Sequence, residues 1–294
     1  MSSLSFRERT VQFGRADHLN GILTLPKGLD GKPFACLLII NSGIVHRIGV
    51  SRLHVSMARQ LSNHGIASLR FDLSGVGDSD TPPGLDSIQA IVDEDLRDAI
   101  HFTKEQFGDS PLVGAGLCSG AYDWIRSVGR NEGLWGAILL DLFSDYITSN
   151  HVFRHYVKRI TNVASWNNAL SDPKGKLMAM KSRFSSVQNS ENQKTDLDDV
   201  EVGVRPILSQ NELGAIINGA INDRINLFFI YSDGLEDIYN YHNQFADVFP
   251  EQVKSPHIDW DYIAGSNHTF EKEAHRQRLL ASIVGWLKNR GLIT

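Results

Sequence analysis

The feature that most constrains this chain is Gly116-Leu117-Cys118-Ser119-Gly120, set between an apolar run and a segment of helical spacing. Upstream, Ser110-Pro-Leu-Val-Gly-Ala115 suits a buried strand; downstream, Ala121-Tyr-Asp-Trp-Ile-Arg-Ser-Val128 repeats apolar residues at helical intervals. A reactive side chain on a sharp strand-to-helix turn holds a strained backbone. The residues two before and two after it crowd the strand and helix they join, so both must be small. Glycine at 116 and 120 meets that demand for Cys118. Ser119 fits the same frame worse, because its flanks at those offsets are Leu117 and Ala121.

Around this turn the pattern alternates. Arg9 to Phe13 and Leu19 to Leu25 read as a hairpin, Phe34 to Ile40 as a strand covered on both faces, and Leu53 to His64 as an amphipathic helix. Ile66 to Phe71 returns as a strand, Ile88 to Phe107 as a helix, and Trp135 to Leu140 as another strand. Strand, helix-like, strand and helix then follow over Asn226 to Tyr231, Tyr239 to Phe249, His257 to Ile263 and Lys272 to Lys288. Such alternation predicts an α/β class fold, a mostly parallel doubly wound sheet. Between 143 and 222 the rhythm breaks into helix-like pieces, 152–161 and 175–184, and a polar run, 185–199. The expected organisation is a core of 1–142 and 223–294 interrupted by a helical lid, 143–222.

The composition narrows the function classes. With 294 residues, 41% hydrophobic and 21% charged, the chain can bury a sizeable core. A net charge of -5 argues against nucleic acid as a partner, since binding phosphates needs a basic surface. No apolar stretch approaches the length of a membrane span, and the first residues lack the apolar core of a secretory signal. Of the two cysteines, Cys36 falls inside an apolar strand and reads as structural. A reduced, cytoplasmic protein is the expectation.

A thiol nucleophile needs a base, and an acid to orient that base. His268, in Ala264-Gly-Ser-Asn-His-Thr-Phe270, follows the last apolar strand, at the carboxyl edge where open α/β sheets place their sites. The acid is expected on the loop Ser232-Asp-Gly-Leu-Glu-Asp237, with Asp237 the choice and Asp233 and Glu236 the alternatives. An oxyanion hole needs two backbone N–H donors. Ser119, following the nucleophile, should give one, and Ile44, after Asn41-Ser42-Gly43, the other. His151 and His155 have helical i,i+4 spacing but no accompanying Glu or third ligand, so no metal is expected. Gly75-Val-Gly77 lacks the third glycine of a dinucleotide fingerprint, and no cofactor is expected.

Phe71-Asp-Leu-Ser-Gly75-Val-Gly77-Asp-Ser79 resembles the D-x-R-G-x-G-x-S turn of the α/β-hydrolase superfamily, with Ser74 in place of the Arg. Together with the turn at 116–120, Asn41-Ser-Gly43 and Gly265-Ser-Asn-His268, the resemblance spans most of the chain outside 143–222. Within the superfamily it is most similar to the serine-aminopeptidase-like and exosortase-associated hydrolases. It implies an α/β-hydrolase fold and acyl chemistry on a small-molecule or carrier-bound acyl substrate. Cysteine at the nucleophile position resembles the dienelactone-type hydrolases and the polyester synthases. The function this implies is hydrolysis of a thioester or ester through an acyl-cysteine. An acyltransferase passing the acyl group to an amine or alcohol is the alternative, and a non-catalytic binding homologue is the reading from another class.

Overall fold

A computed structural model describes residues 6–28, 32–82, 87–151, 154 and 205–293. Eight strands form one sheet: β1 (Phe6–Phe13), β2 (Leu19–Pro26), β3 (Ala35–Ile40), β4 (Ile66–Phe71), β5 (Leu112–Leu117), β6 (Gly136–Leu140), β7 (Asn226–Ser232) and β8 (Ile258–Ile263). Their order is β1-β2-β4-β3-β5-β6-β7-β8. The β1–β2 hairpin and the β2–β4 pair are antiparallel, and every pair from β3 to β8 is parallel. This is the mostly parallel doubly wound sheet expected from the alternation.

Helices cover both faces. The central strands are apolar at every position because successive side chains point to opposite faces and both are buried. Leu37 and Ile39 of β3 and Val113, Ala115 and Leu117 of β5 pack with α1 (Leu53–Ser62) and α6 (Glu273–Asn289). Leu38 and Ile40, with Leu139 of β6, join the opposite core. There they meet α2 (Ile88–Phe107), α3 (Ser119–Gly129), α4 (Gln210–Asn222) and α5 (Gln244–Val248). Helix α2 starts where the Ser87 side chain accepts from the Ala90 N–H at 3.2 Å. No helix among the described residues is long and apolar enough to cross a membrane.

Helix α3 lies so close to the carboxyl half of β5 that positions 114 and 116 have no room for side chains. A Cβ on Gly114 would come within 2.5 Å of the Trp124 ring, and one on Gly116 within 2.4 Å of the Gly120 carbonyl carbon. On the helix, a Cβ on Gly120 would approach the Asn41 carbonyl oxygen to 2.8 Å. The small-residue requirement read from the sequence is thus met by backbone on both sides.

Two elements differ from expectation. Helix structure is confined to Gln244–Val248 within the expected 239–249. Before it, Tyr239 stacks on Tyr231 with centroids 3.9 Å apart, and the Gln244 side chain donates to the carbonyls of Tyr146 and Ile238. These contacts hold the segment in an irregular turn. Second, 210–222, placed by sequence within the interrupting segment, forms the helix that leads into β7. It opens on a capping box between Ser209 and Glu212 and buries Leu213, Ile217 and Ala220. Just before it, Arg205 makes a two-pronged ion pair with buried Asp123 of α3, at 2.8 and 3.0 Å. The expected helical pieces 152–161 and 175–184 and the polar run 185–199 lie outside the described residues, apart from Arg154.

If α4 is a core helix, Leu213→Ala should destabilise the protein by about 2–5 kcal/mol. Exposed Asn211→Ala on the same helix should stay within about 0.5 kcal/mol of the parent. Urea unfolding midpoints of the two variants check this.

Candidate active site

The sheet brings the candidate residues together by register. Ile40 of β3 lies opposite Gly116 of β5, and Leu117 of β5 opposite Leu140 of β6. Two residues past the first pair stand Ser42 and Cys118; one past the second stand Cys118 and Asp141. Three neighbouring strands therefore end on Ser42, Cys118 and Asp141 in a row, at the carboxyl edge of the sheet.

Cys118 takes φ 58 and ψ -115, a backbone that L-residues rarely adopt, and it is the N-cap of α3. Its N–H donates to the Leu140 carbonyl at 2.9 Å, and its carbonyl accepts from Tyr122 N–H at 3.0 Å. The thiol is partly exposed, whereas Cys36 is buried and its thiol is pushed up by burial. Burial also tends to raise the Cys118 pKa. Hydrogen bonds from His268 and Ser42, the charge of His268 and the Ser119 amide outweigh it, and the net shift is downward. Ser119 itself makes no such contact with the imidazole. It is buried, and its Oγ accepts from Gly43 N–H at 2.7 Å.

His268 Nδ1 lies 2.8 Å from Asp141 Oδ2. With Nδ1 committed, Nε2 is the ring nitrogen left for the thiol. The ring also meets Phe143 edge-on, with centroids 5.9 Å apart. Burial tends to lower the imidazole pKa, but hydrogen bonds to Asp141 and Cys118 and their charges raise it to about 10. The thiol is shifted down and the imidazole up, the directions that favour a thiolate–imidazolium pair over the neutral one.

The carboxylate on His268 is thus Asp141, after β6, and not Asp237, Asp233 or Glu236 after β7. Asp237 is exposed on the turn. Asp233 is spent on the loop that carries His268, accepting from Gly265 N–H at 2.6 Å and from the Tyr262 hydroxyl. The Glu236 carbonyl faces His151 Nε2 at 3.3 Å. The correction has a physical reason. The β7 loop passes directly beneath the histidine backbone, where a Cβ on Gly234 would come within 2.0 Å of the His268 nitrogen. It supports the main chain of the histidine loop, while the β6 end reaches the ring. Asp141 is fully buried, at φ 46, and its carboxylate accepts from the Ser232 N–H (2.7 Å) and hydroxyl (2.6 Å). The signal available in sequence was an aspartate closing the apolar run Gly136–Leu140, since a buried carboxylate requires partners. Ser42 and Ser232 carried no signal of their own.

Ile44 sits in the turn after β3 and is 71% exposed. Its N–H makes no hydrogen bond among the described residues, and it follows the residues that touch Cys118 and Ser119. The polar continuation His46-Arg47 anchors this turn to the one after β4. Arg47 pairs with both Asp72 and Asp78, and its N–H also donates to Asp72. His46, Asp72 and Asp78 form a cluster of metal-ligand type, with Arg47 already seated on both carboxylates.

No family model matches this chain, and no curated protein matches it in sequence. Solved structures do resemble it. An esterase from Pyrococcus furiosus superposes with a TM-score of 0.59 at 13% identity, over 97% of this chain and 91% of that one. The esterase domain of a Rhodothermus marinus protein gives 0.54 at 17% identity, over 97% and 98%. A Xanthomonas campestris protein described as an α/β serine hydrolase without a lid gives 0.52 at 15%, over 98% and 96%. At these identities the likeness establishes the fold, which is the α/β-hydrolase fold.

The acid assignment is open to direct titration. Asp141→Asn removes the negative charge that favours the imidazolium, so the His268 pKa should fall from about 10 towards the ordinary value of roughly 6.5. Asp237→Asn should leave it in place. NMR titration of the His268 ring distinguishes the two.

Proposed function

We propose that this chain is an acyl-transfer enzyme that hydrolyses a thioester or ester through an acyl-cysteine on Cys118. The observation that carries the reading is the chain of contacts from the Cys118 thiol through the His268 imidazole to the buried Asp141 carboxylate. A nucleophile, a base and an orienting acid in that order are what covalent acyl transfer requires.

The cycle follows from the protonation states. The Cys118 thiolate attacks the acyl carbonyl carbon. A C–S bond forms, and the carbonyl π pair moves to oxygen. The Ser119 amide, with the Ile44 amide as its partner, receives that oxyanion. On collapse, the leaving thiolate or alkoxide departs with the proton from His268 Nε2. Water then gives a proton to the now neutral His268 and attacks the acyl-cysteine, and Cys118 leaves as thiolate with release of the carboxylic acid. Asp141 keeps the ring in one orientation and stabilises each imidazolium state.

Brief incubation with a panel of acyl thioesters and p-nitrophenyl esters, read by intact mass, tests the assignment. The parent should gain an acyl mass mapping to Cys118, and free acid should follow. Cys118→Ala should gain none and lose turnover by about 10³-fold or more. An adduct on Ser119 would overturn the reading, and transfer to added amine in place of free acid would favour the acyltransferase alternative.

Both limbs of the pH profile follow from the two shifts. Because the Cys118 pKa is lowered, activity should rise through a midpoint below the ordinary thiol value of roughly 8.5. Because the His268 pKa is raised, the proton for the leaving group persists until about 10, and kcat/KM should fall only there. Initial rates between pH 5 and 11, in steps of about half a unit, map both limbs.

A further inference from the structure

We propose that the Ser42 hydroxyl is a side-chain donor to the oxyanion, acting beside the backbone amides; this role rests on the acyl-cysteine reading above. Its position follows from the sheet. Ser42 stands two residues beyond Ile40 and Cys118 two beyond Gly116, and Ile40 and Gly116 are opposite each other in neighbouring strands. That register sets the hydroxyl beside the Cys118 sulfur, the atom to which the acyl carbon becomes attached, and hydrogen bonding from Ser42 is among the causes that lower the thiol pKa.

The turn that presents it is fixed from several sides. The Ser42 carbonyl accepts from Val45 N–H at 3.1 Å. Asn41 has its carbonyl against Gly120, and its side-chain amide points to Asp72 Oδ1 at 3.4 Å. Gly43 N–H is held by Ser119 Oγ at 2.7 Å. That last bond has a second consequence. It removes the Gly43 amide as a donor, so the donors left in this turn include the Ile44 N–H and the Ser42 hydroxyl.

The chemistry needs a donor that follows the charge. Before attack the negative charge is on sulfur; in the tetrahedral adduct it is on the oxygen bound to the same carbon. A hydroxyl can turn its hydrogen from one atom to the other without moving the backbone. A donor that stabilised only the thiolate would lower the ground state and gain nothing in rate. One that transfers to the oxyanion favours the transition state.

The two roles separate in a pair of pH profiles on Ser42→Ala. Alkylation of Cys118 by iodoacetamide forms no oxyanion, so its plateau at high pH reports the thiolate alone. Stopped-flow acylation by a p-nitrophenyl ester passes through the oxyanion. In Ser42→Ala we expect the alkylation midpoint to move up, with its plateau within about twofold of the parent; that plateau also shows the site to be folded. The acylation plateau should fall about 10- to 100-fold, and Ser42→Thr should restore much of it. An acylation plateau equal to the parent's would overturn the role and leave Ser42 as a thiolate ligand. Equal losses in both plateaus would overturn it too, in favour of structural damage. If the parent forms no acyl-Cys118, the underlying reading fails first, and the mass measurement reveals that separately.

Discussion

Everything at this site depends on the approach of α3 to β5. Gly114 and Gly116 on the strand and Gly120 on the helix let backbone meet backbone and ring at distances no Cβ would tolerate. The chain between them has one residue in which to turn, and it turns at φ 58 on Cys118. That strain has structural consequences of its own. It lifts the thiol out of the sheet edge, starts the helix immediately behind it and points the Ser119 amide at the sulfur. The adjoining β3 turn is positioned by the same contact, since the Asn41 carbonyl rests on Gly120 and the Gly43 amide on Ser119. Candidate nucleophile and candidate oxyanion donors are thus fixed by one close packing.

Charge is arranged by a second constraint, the burial of Asp141. A carboxylate with no exposure is costly unless every oxygen is engaged. Here Oδ1 takes the Ser232 amide, and Oδ2 takes both the Ser232 hydroxyl and His268 Nδ1. The strand next to β6 therefore contributes not an acid but the donors that hold one. Its following loop supports the histidine main chain through Gly234 and Asp233. Labour is divided between two loops, with the ring oriented from β6 and its backbone carried from β7.

This division explains what could be read from sequence and what could not. Outside 143–222 the strands and all helices but the one expected over 239–249 were legible, because periodicity of two and of 3.6 survives wherever one or both faces are buried. Cys118 was legible because the glycine spacing has a steric cause, and His268 because it follows the last apolar strand. The acid was not. A loop bearing three carboxylates, 233–237, offers a stronger local signal than a single aspartate at the end of Gly136–Leu140. The choice between them is made by three-dimensional reach. Helix α4 was missed for a related reason, its three buried positions being spread through a segment whose neighbours break the pattern. Contacts such as Ser42 with Cys118 arise from strand register and have no linear signature.

Cysteine in place of serine changes what the imidazole does on the proposed pathway. A serine hydroxyl must lose its proton as it attacks, so the histidine acts first as a base. Here the thiol pKa is lowered and the His268 pKa raised to about 10, so on that pathway the imidazole is called on first as an acid. A thiolate leaving group departs readily without protonation, whereas an alkoxide needs the proton at the moment of collapse. The arrangement is therefore able to serve oxygen esters as well as thioesters, because the proton is loaded before substrate arrives. What the site must still supply is stabilisation of charge moving from sulfur to oxygen. The donors clustered at the end of β3 and the start of α3 lie where that movement occurs.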